Sequence, residues 1–415
     1  MLEEFFKAII ELITATAHVL ISSQEQLYGY AYWLKLVVLT VSLAGAAFYA
    51  YYWGRRALHE KIHQILVDPD AFWSKAPQTA TISSYRKQHL KSLPIITIAN
   101  YKGGVGKSMI STNLAAYLDM AGLRVLLLDY DYQGSLTDIV PYRNPDHIIF
   151  SAHDVLQGDR ESQVISPPEK LGGSFHQAFI HPAESGLSKI DSSLIYQWLT
   201  GKRKTDIRFN TQNYLTSEKV NNNYDIVLID TPPRICAATA NALCAATHVL
   251  MPTILDTVSS RAVFRSVEMF LDFRDKLHLG FKMLGVVPSK VQRATGYTHR
   301  ESQALSYLIE ELYWHYKDRI NKFTQKTEPV KVLDALPIMQ KVDLLHIEGD
   351  DMVIFERPNT QNQAVIREMF SRLGEYIIDE TGLNVKVKTE DNRNANLGTA
   401  QPIVEFGESA QARAG

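Results

Sequence analysis

LPIITIANYKGGVGKS, residues 93–108, governs the reading of the whole chain. Ile95–Ala99 is a short, mostly apolar run, as expected of a strand covered on both faces of a parallel sheet. A glycine-rich turn follows, and the pattern over 108–121 predicts a helix directly after it. Gly103, Gly104 and Gly106 let the backbone curl until its N–H groups converge on an anion. The helix N-terminus adds a partial positive charge. Placed there, Lys107 reaches the β and γ phosphates of a nucleotide, and the Ser108 hydroxyl coordinates Mg2+. The common phosphate-loop pattern asks for glycine six positions ahead of the loop lysine, where this chain has Tyr101.

Working outward, short apolar runs recur between helix-patterned stretches: RVLLLDYD at 124–131, DIVLID at 225–230, HVLMPTI at 248–254 and KMLGVVPS at 282–289. Such alternation predicts an α/β fold, a doubly wound and mostly parallel sheet with helices on both faces. Two of the runs end in acids. The first delivers Asp129 and Asp131 to the carboxyl end of a strand, where open α/β sheets bind ligands. The second, four apolar residues closed by Asp230, describes a buried strand presenting a carboxylate to a metal-bound water.

Lys102, the first lysine of KGGVGKS, brings in a resemblance. This loop looks like the deviant Walker A of the ParA/MinD superfamily of ATPases. DYDYQGSLT at 129–137 resembles that family's DxDPQGSLT, with Tyr132 in place of proline, and YDIVLIDTPP at 224–233 matches its Walker B strand. The resemblance implies ATP and Mg2+ as ligands. It implies a cradle of Lys102, Gly103, Gly104, Val105, Gly106, Lys107, Ser108 and Met109, and a metal set of Ser108, Asp129 and Asp230. Lys102, Lys107 and Asp131 would be catalytic, Asp131 by orienting or activating the attacking water. Lys102 would cross to the nucleotide of a partner subunit in an ATP-sandwiched homodimer, adding charge where the transferred phosphoryl develops it. Leu336-Pro337 followed by Val342, Gly349 and Val353-Ile354 looks like the family's late loop and last strand, and a helix over Gln363–Ile378 would close the domain. Ser289-Lys290 stands where related proteins often carry an Asn-Arg pair near adenine. The likeness covers roughly 93–380 and nothing in 1–90.

The N-terminal part reads differently. Leu36–Trp53 holds no charged residue, and its 18 residues span about 27 Å as a helix, close to the hydrocarbon core of a bilayer. Tyr28, Tyr30, Tyr32 and Trp33 precede it, and Tyr49, Tyr51, Tyr52 and Trp53 close it, as interfacial belts do. Arg55, Arg56 and Lys61 follow at once, whereas residues 1–35 hold more acids than bases, so the large C-terminal part is expected on the cytosolic side of a bacterial inner membrane. Residues 2–21 suit an amphipathic helix in the interface, against a partner, or as the first leg of a hairpin; Lys7 and Glu11 weigh for the interface. The expected organisation is an amphipathic segment 1–28, a transmembrane helix 29–56, a linker 57–92, an ATPase domain 93–382 and a disordered tail 383–415.

Composition narrows the function. With 46% hydrophobic and 21% charged residues, the chain is not disordered throughout. Residues 54–415 are formally neutral, and the clusters Lys202-Arg203-Lys204 and Arg293–Arg300 are small, so DNA is not favoured as a partner. A membrane tether also opposes the nucleoid diffusion that DNA partition by this family uses. A tyrosine kinase of the polysaccharide-export type joins a membrane segment to a related fold, but needs a C-terminal tyrosine cluster. None follows Tyr376, and Gln133-Gly134 replaces an arginine usual in those kinases. Cys236 and Cys244 share one apolar helical stretch and read as small core residues. The expected function is a membrane-anchored ATPase that positions, recruits or regulates an unidentified protein partner, with lipid contact through 36–53.

Overall fold

A computed structural model describes residues 11, 14, 28–67, 72–74, 93–141, 150–158, 168–184, 186–200, 202, 205–293, 296–320, 325–339, 354–356 and 361–384. The chain divides into two compact units, Met1–Phe72 and Trp73–Gly415.

In the first unit, α1 (Tyr28–Val67) is one continuous helix of 40 residues. Within it, Val37–Ala57 forms 21 residues long and apolar enough to cross a membrane, none of them buried in protein. Leu39, Leu43, Phe48 and Tyr51 project outward, as a lipid-facing surface requires. The helix runs on through residues 57–67, assigned above to the linker. There Arg56 stacks over Trp53 and pairs with Glu60 at 3.0 Å. The proposed helix over 2–21, apart from residues 11 and 14, and the tail beyond residue 384 lie outside the described residues.

The second unit is built on β1 (Ile95–Ile98), α2 (Lys107–Met120), β2 (Val125–Asp129), α3 (Ser135–Ile139), α4 (Ala152–Gln157), β3 (Glu169–Lys170), β4 (Ala178–His181) and α5 (Leu187–Leu199). It continues with α6 (Asn210–Leu215), α7 (Glu218–Asn221), β5 (Ile226–Asp230), α8 (Ala237–Ala245), β6 (His248–Ile254), α9 (Thr257–Leu277), β7 (Lys282–Val291), α10 (His299–Tyr316), β8 (Ile338–Met339) and α11 (Gln361–Thr381). Eight strands form one sheet in the order β3-β4-β2-β5-β1-β6-β7-β8, parallel throughout except for β3 against β4. The doubly wound α/β expectation holds.

Alternation along β1 separates the two faces. Ile96 and Ile98 join Ile110 and Leu114 of α2 and Phe370 and Leu373 of α11 in one apolar core. Thr97 turns the other way and donates its hydroxyl proton to Ala242 O on α8. Cys236 and Cys244 are buried on and beside α8, and burial pushes the Cys236 thiol up to about 11, leaving it unreactive. The edge of the sheet corrects one expectation. Ile354 opens a 3-10 turn, Ile354–Glu356, and the last described strand is β8, directly after Pro337. The reason is a side-chain bond: Ile354 N donates to Asn113 Oδ1 at 2.8 Å, fixing Ile354 against the α2 core instead of in a ladder. Val342, Gly349 and Val353 lie outside the described residues.

His181 ends β4 beside Leu128 of β2. Its Nδ1 lies 3.1 Å from Phe150 O and its Nε2 2.6 Å from the Tyr214 hydroxyl, so Nδ1–H donates and Nε2 accepts, the pattern of a neutral ring. Burial pushes its pKa down to about 4. The unfolded chain binds this proton first, so the contribution is complete above about pH 6.5 and is lost as pH falls toward 4. Denaturant titrations at pH 7 and pH 4 should show wild type losing about 3 kcal/mol that His181→Leu does not lose.

Candidate functional site

The chain leaves β1 at Ile98 and re-enters regular structure at Lys107. Gly104 and Gly106 carry φ of +72° and +86°, values an L side chain tolerates poorly. Gly106 is the N-cap of α2 and no side chain caps it, so the N–H groups of the first turn stay available to an anion. The turn is fastened from outside. Asn100 Oδ1 accepts from Lys102 N at 2.9 Å, while Asn100 Nδ2 donates to Pro252 O of β6 at 2.7 Å. Ser289 of β7 places its hydroxyl 2.7 Å from Val105 O and 3.0 Å from Thr253 O. Neither anchor was assigned a role from sequence, since asparagine and serine at strand ends are common and their long-range partners leave no local signal.

Beside the turn lies a cleft of about 480 Å³. Gly103, Gly104, Gly106, Lys107, Ser108, Met109 and Asp131 of the expected set line it, and Lys102, Val105, Asp129 and Asp230 do not. Lys107 is buried, with Nζ 3.4 Å from Asn100 O. Desolvation lowers its pKa, and the negative charges of Asp230 and Asp131 oppose that shift. Lys102 points elsewhere: its ammonium pairs with Asp256 at 3.3 Å and bonds the Ser259 hydroxyl, at the N-terminus of α9.

Two carboxylates face each other across neighbouring strands, Asp129 of β2 in register with Asp230 of β5. Both are fully buried. Burial pushes Asp129 up to about 7 against the bonds from Thr137, and burial with the charge of Asp129 pushes Asp230 up to about 8. Their surroundings differ. Asp129 Oδ2 accepts from Thr137 N at 2.8 Å and Thr137 Oγ1 at 2.7 Å, and Oδ1 accepts from Asp131 N at 3.1 Å. It therefore holds the loop that follows β2. Asp230 Oδ1 accepts from the Ser111 hydroxyl at 3.5 Å, the nearby Ser108 hydroxyl opposes the rise in its pKa, and Oδ2 is buried with no hydrogen-bond partner among the described residues. An orphaned buried carboxylate oxygen next to a serine hydroxyl and a second carboxylate suits a hard divalent cation. Asp131 lies at the cleft with Oδ1 accepting from Gln133 N at 3.1 Å. Pro233 and Lys290 border the same space, Lys290 at a φ of +54°.

Residues 93–282 match a family model described as an AAA domain. The chromosome-partitioning ATPase Soj of Thermus thermophilus is 28% identical over 220 residues, 53% of this chain and 78% of that protein. The chromosome partitioning protein ParA of Myxococcus xanthus is 28% identical over 226 residues, 54% of this chain and 72% of the relative. Over this region the domain is similar to the partition ATPases of the ParA/MinD superfamily. A putative replication protein A of Sinorhizobium fredii is 30% identical over 205 residues, and the chain spans 49% of that relative's length. The fold of the ParA-like domain also matches solved structures. A Cyanothece McdA–ATP complex superposes with a TM-score of 0.52 at 17% identity, covering 69% of this chain and 96% of that one. Cobyrinic acid a,c-diamide synthase of Mycobacterium smegmatis, solved with an ATP analog and magnesium, gives a TM-score of 0.51 at 21% identity, covering 70% and 96%.

Replacing Asp230 by Asn removes a buried ionisable carboxyl whose charged form burial disfavours, and keeps the side chain's size in strand β5. Asp230→Asn should raise the melting temperature of the ligand-free protein and abolish the further rise that Mg-ATP gives the wild type, both read by differential scanning fluorimetry.

Proposed function

We propose that this chain is a membrane-anchored ParA-like ATPase that binds Mg-ATP, forms a nucleotide-sandwiched homodimer and hydrolyses ATP to position, recruit or regulate a protein partner. One observation carries the ligand reading: Ser108 meets the orphaned Asp230 carboxylate beneath an uncapped glycine turn that also holds the buried Lys107. Mg2+ bound there supplies positive charge beside the phosphates. Lys107 and the first-turn N–H groups of α2 hold the phosphate oxygens, and burial keeps water from screening them. Asp131, at the cleft, orients the attacking water and accepts its proton. Asp129 supports this by keeping the Asp131 loop in place through Thr137.

Lys102 gives the dimer its physical content. In the single chain its charge is satisfied by Asp256, so crossing to a partner's nucleotide means exchanging that carboxylate for phosphate oxygens. Residues 1–92 take no part in the AAA-domain match, and α1 supplies the anchor: its exposed apolar stretch is long enough for a bilayer and is followed by Arg55 and Arg56. The ParA-like domain then faces the cytosol. The names of the partition relatives favour DNA as a second ligand, but residues 54–415 have no net charge to retain it.

Asp131→Ala should retain ATP binding, lower phosphate release at least about 100-fold and accumulate dimer by light scattering; unchanged turnover removes Asp131 from catalysis. Lys107→Ala should lose ATP affinity by more than tenfold in a fluorescent-nucleotide titration. The full chain should sediment with membranes after a carbonate wash, while residues 73–415 alone stay in the supernatant; sedimentation of the shorter chain overturns the α1 anchor.

A further inference from the structure

Tyr132 occupies the position that is proline in the motif it resembles, so the backbone restraint of a fixed φ is absent beside Asp131. A different restraint stands in its place. The Arg234 guanidinium lies over the Tyr132 ring, 5.6 Å from its centroid. Arg234 is itself held by Asp191 of α5, with Nη2 3.2 Å from Oδ2. Asp191 is fixed in turn, because its Oδ1 accepts from Ala237 N, the first residue of α8, at 2.7 Å. An unbroken chain of contacts thus runs from the N-terminus of α8, through Asp191 and Arg234, to the ring next to Asp131.

The two loops joined this way are those that border the phosphate end of the cleft. One follows β2 and carries Asp131; the other follows β5 and carries Thr231, Pro233 and Arg234. The second loop is well anchored, since Thr231 donates its hydroxyl proton to Ile98 O at 2.9 Å. The first holds Asp131 by bonds within the loop and to Asp129: Asp131 N donates to Asp129 Oδ1 at 3.1 Å, and Gln133 N and Gly134 N donate to Asp131 Oδ1 and O at 3.1 and 2.8 Å; none of these ties it to the second loop. Tyr132 is 43% exposed and the Arg234 side chain 51% exposed. A stack so open to water adds little to global stability. It does restrict where the Tyr132 ring, and with it the Asp131 backbone, sits relative to the second loop.

We propose that Tyr132 and Arg234 are a positioning pair, a stacked bridge that replaces the missing proline and sets Asp131 against the loop after β5. The proposal rests on the ATPase reading above. Tyr132 borders the cleft and Arg234 is not among its lining residues; both act through Asp131, whose placement matters on a scale of about 0.5 Å.

The full-length chain in membranes, assayed with Mg-ATP, gives the test. Tyr132→Ala and Arg234→Ala should each lower kcat about three- to tenfold with KM for ATP within twofold of wild type. The double variant should be no slower than the worse single variant, and Tyr132→Phe, which keeps the ring, should recover kcat to within twofold. Melting temperatures should stay within about 2 °C of wild type. Independent of turnover, backbone amides of 130–137 should exchange with deuterium several-fold faster in Arg234→Ala than in wild type. Multiplicative losses in the double variant, a change confined to KM, or unchanged amide exchange overturns the pairing. A wild type that binds nucleotide and releases no phosphate overturns the ATPase reading instead, and the exchange measurement still judges the pair.

Discussion

Asp129 and Asp230 stand side by side on adjacent parallel strands, both shut off from solvent. Burial disfavours the charged form of both, so their pKa values are raised, and the charge of Asp129 raises Asp230 further. The features around the cleft answer that constraint. Thr137 and the Asp131 amide satisfy Asp129, the Ser108 hydroxyl and the charge of Lys107 approach Asp230, and one oxygen is left over. A bound divalent cation completes such a set, and an apolar core would never assemble it for stability alone.

The same geometry explains why so much of the molecule serves one short loop. A glycine turn is cheap to bend but entropically costly to hold still. Asn100 ties it to β6, Ser289 ties its middle to β7, and Lys102 anchors its near end to Asp256. Each fastener comes from a different strand or helix, so the loop is held only when the sheet is assembled. The loops after β2 and β5 are joined in the same manner by Tyr132 and Arg234. Close helix packing supports this from beneath: a side chain on Gly374 of α11 would overlap the Tyr117 ring of α2, the helix whose N-terminus faces the cleft.

The helix α1 and the ParA-like domain dispose of their apolar residues differently. Leu39, Leu43 and Tyr51 find no protein to bury against and are stable where hydrocarbon surrounds them. The domain buries its apolar strands itself. Under the proposed function, anchoring would bring two tethered domains together in a plane at raised effective concentration.

The central strands were legible because strands buried on both faces read as short, mostly apolar runs; β1, β2, β5, β6 and β7 all announce themselves this way. β3 and β8 were not, because two-residue edge strands carry no pattern. Placing the last strand near Ile354 failed for a related reason: its backbone partner is the Asn113 side chain, 241 residues away in sequence. By itself the sequence determined the sheet, the phosphate turn, the acids at its rim and the apolar helix, since each is written in contiguous residues with local physical preferences. Tertiary structure alone decided that Ser108 meets Asp230, that Asp129 faces its own loop, that Lys102 lies against Asp256 and that Arg234 covers Tyr132. Those pairings depend on distances of a few ångströms between segments far apart in the chain, and local propensity carries no record of them.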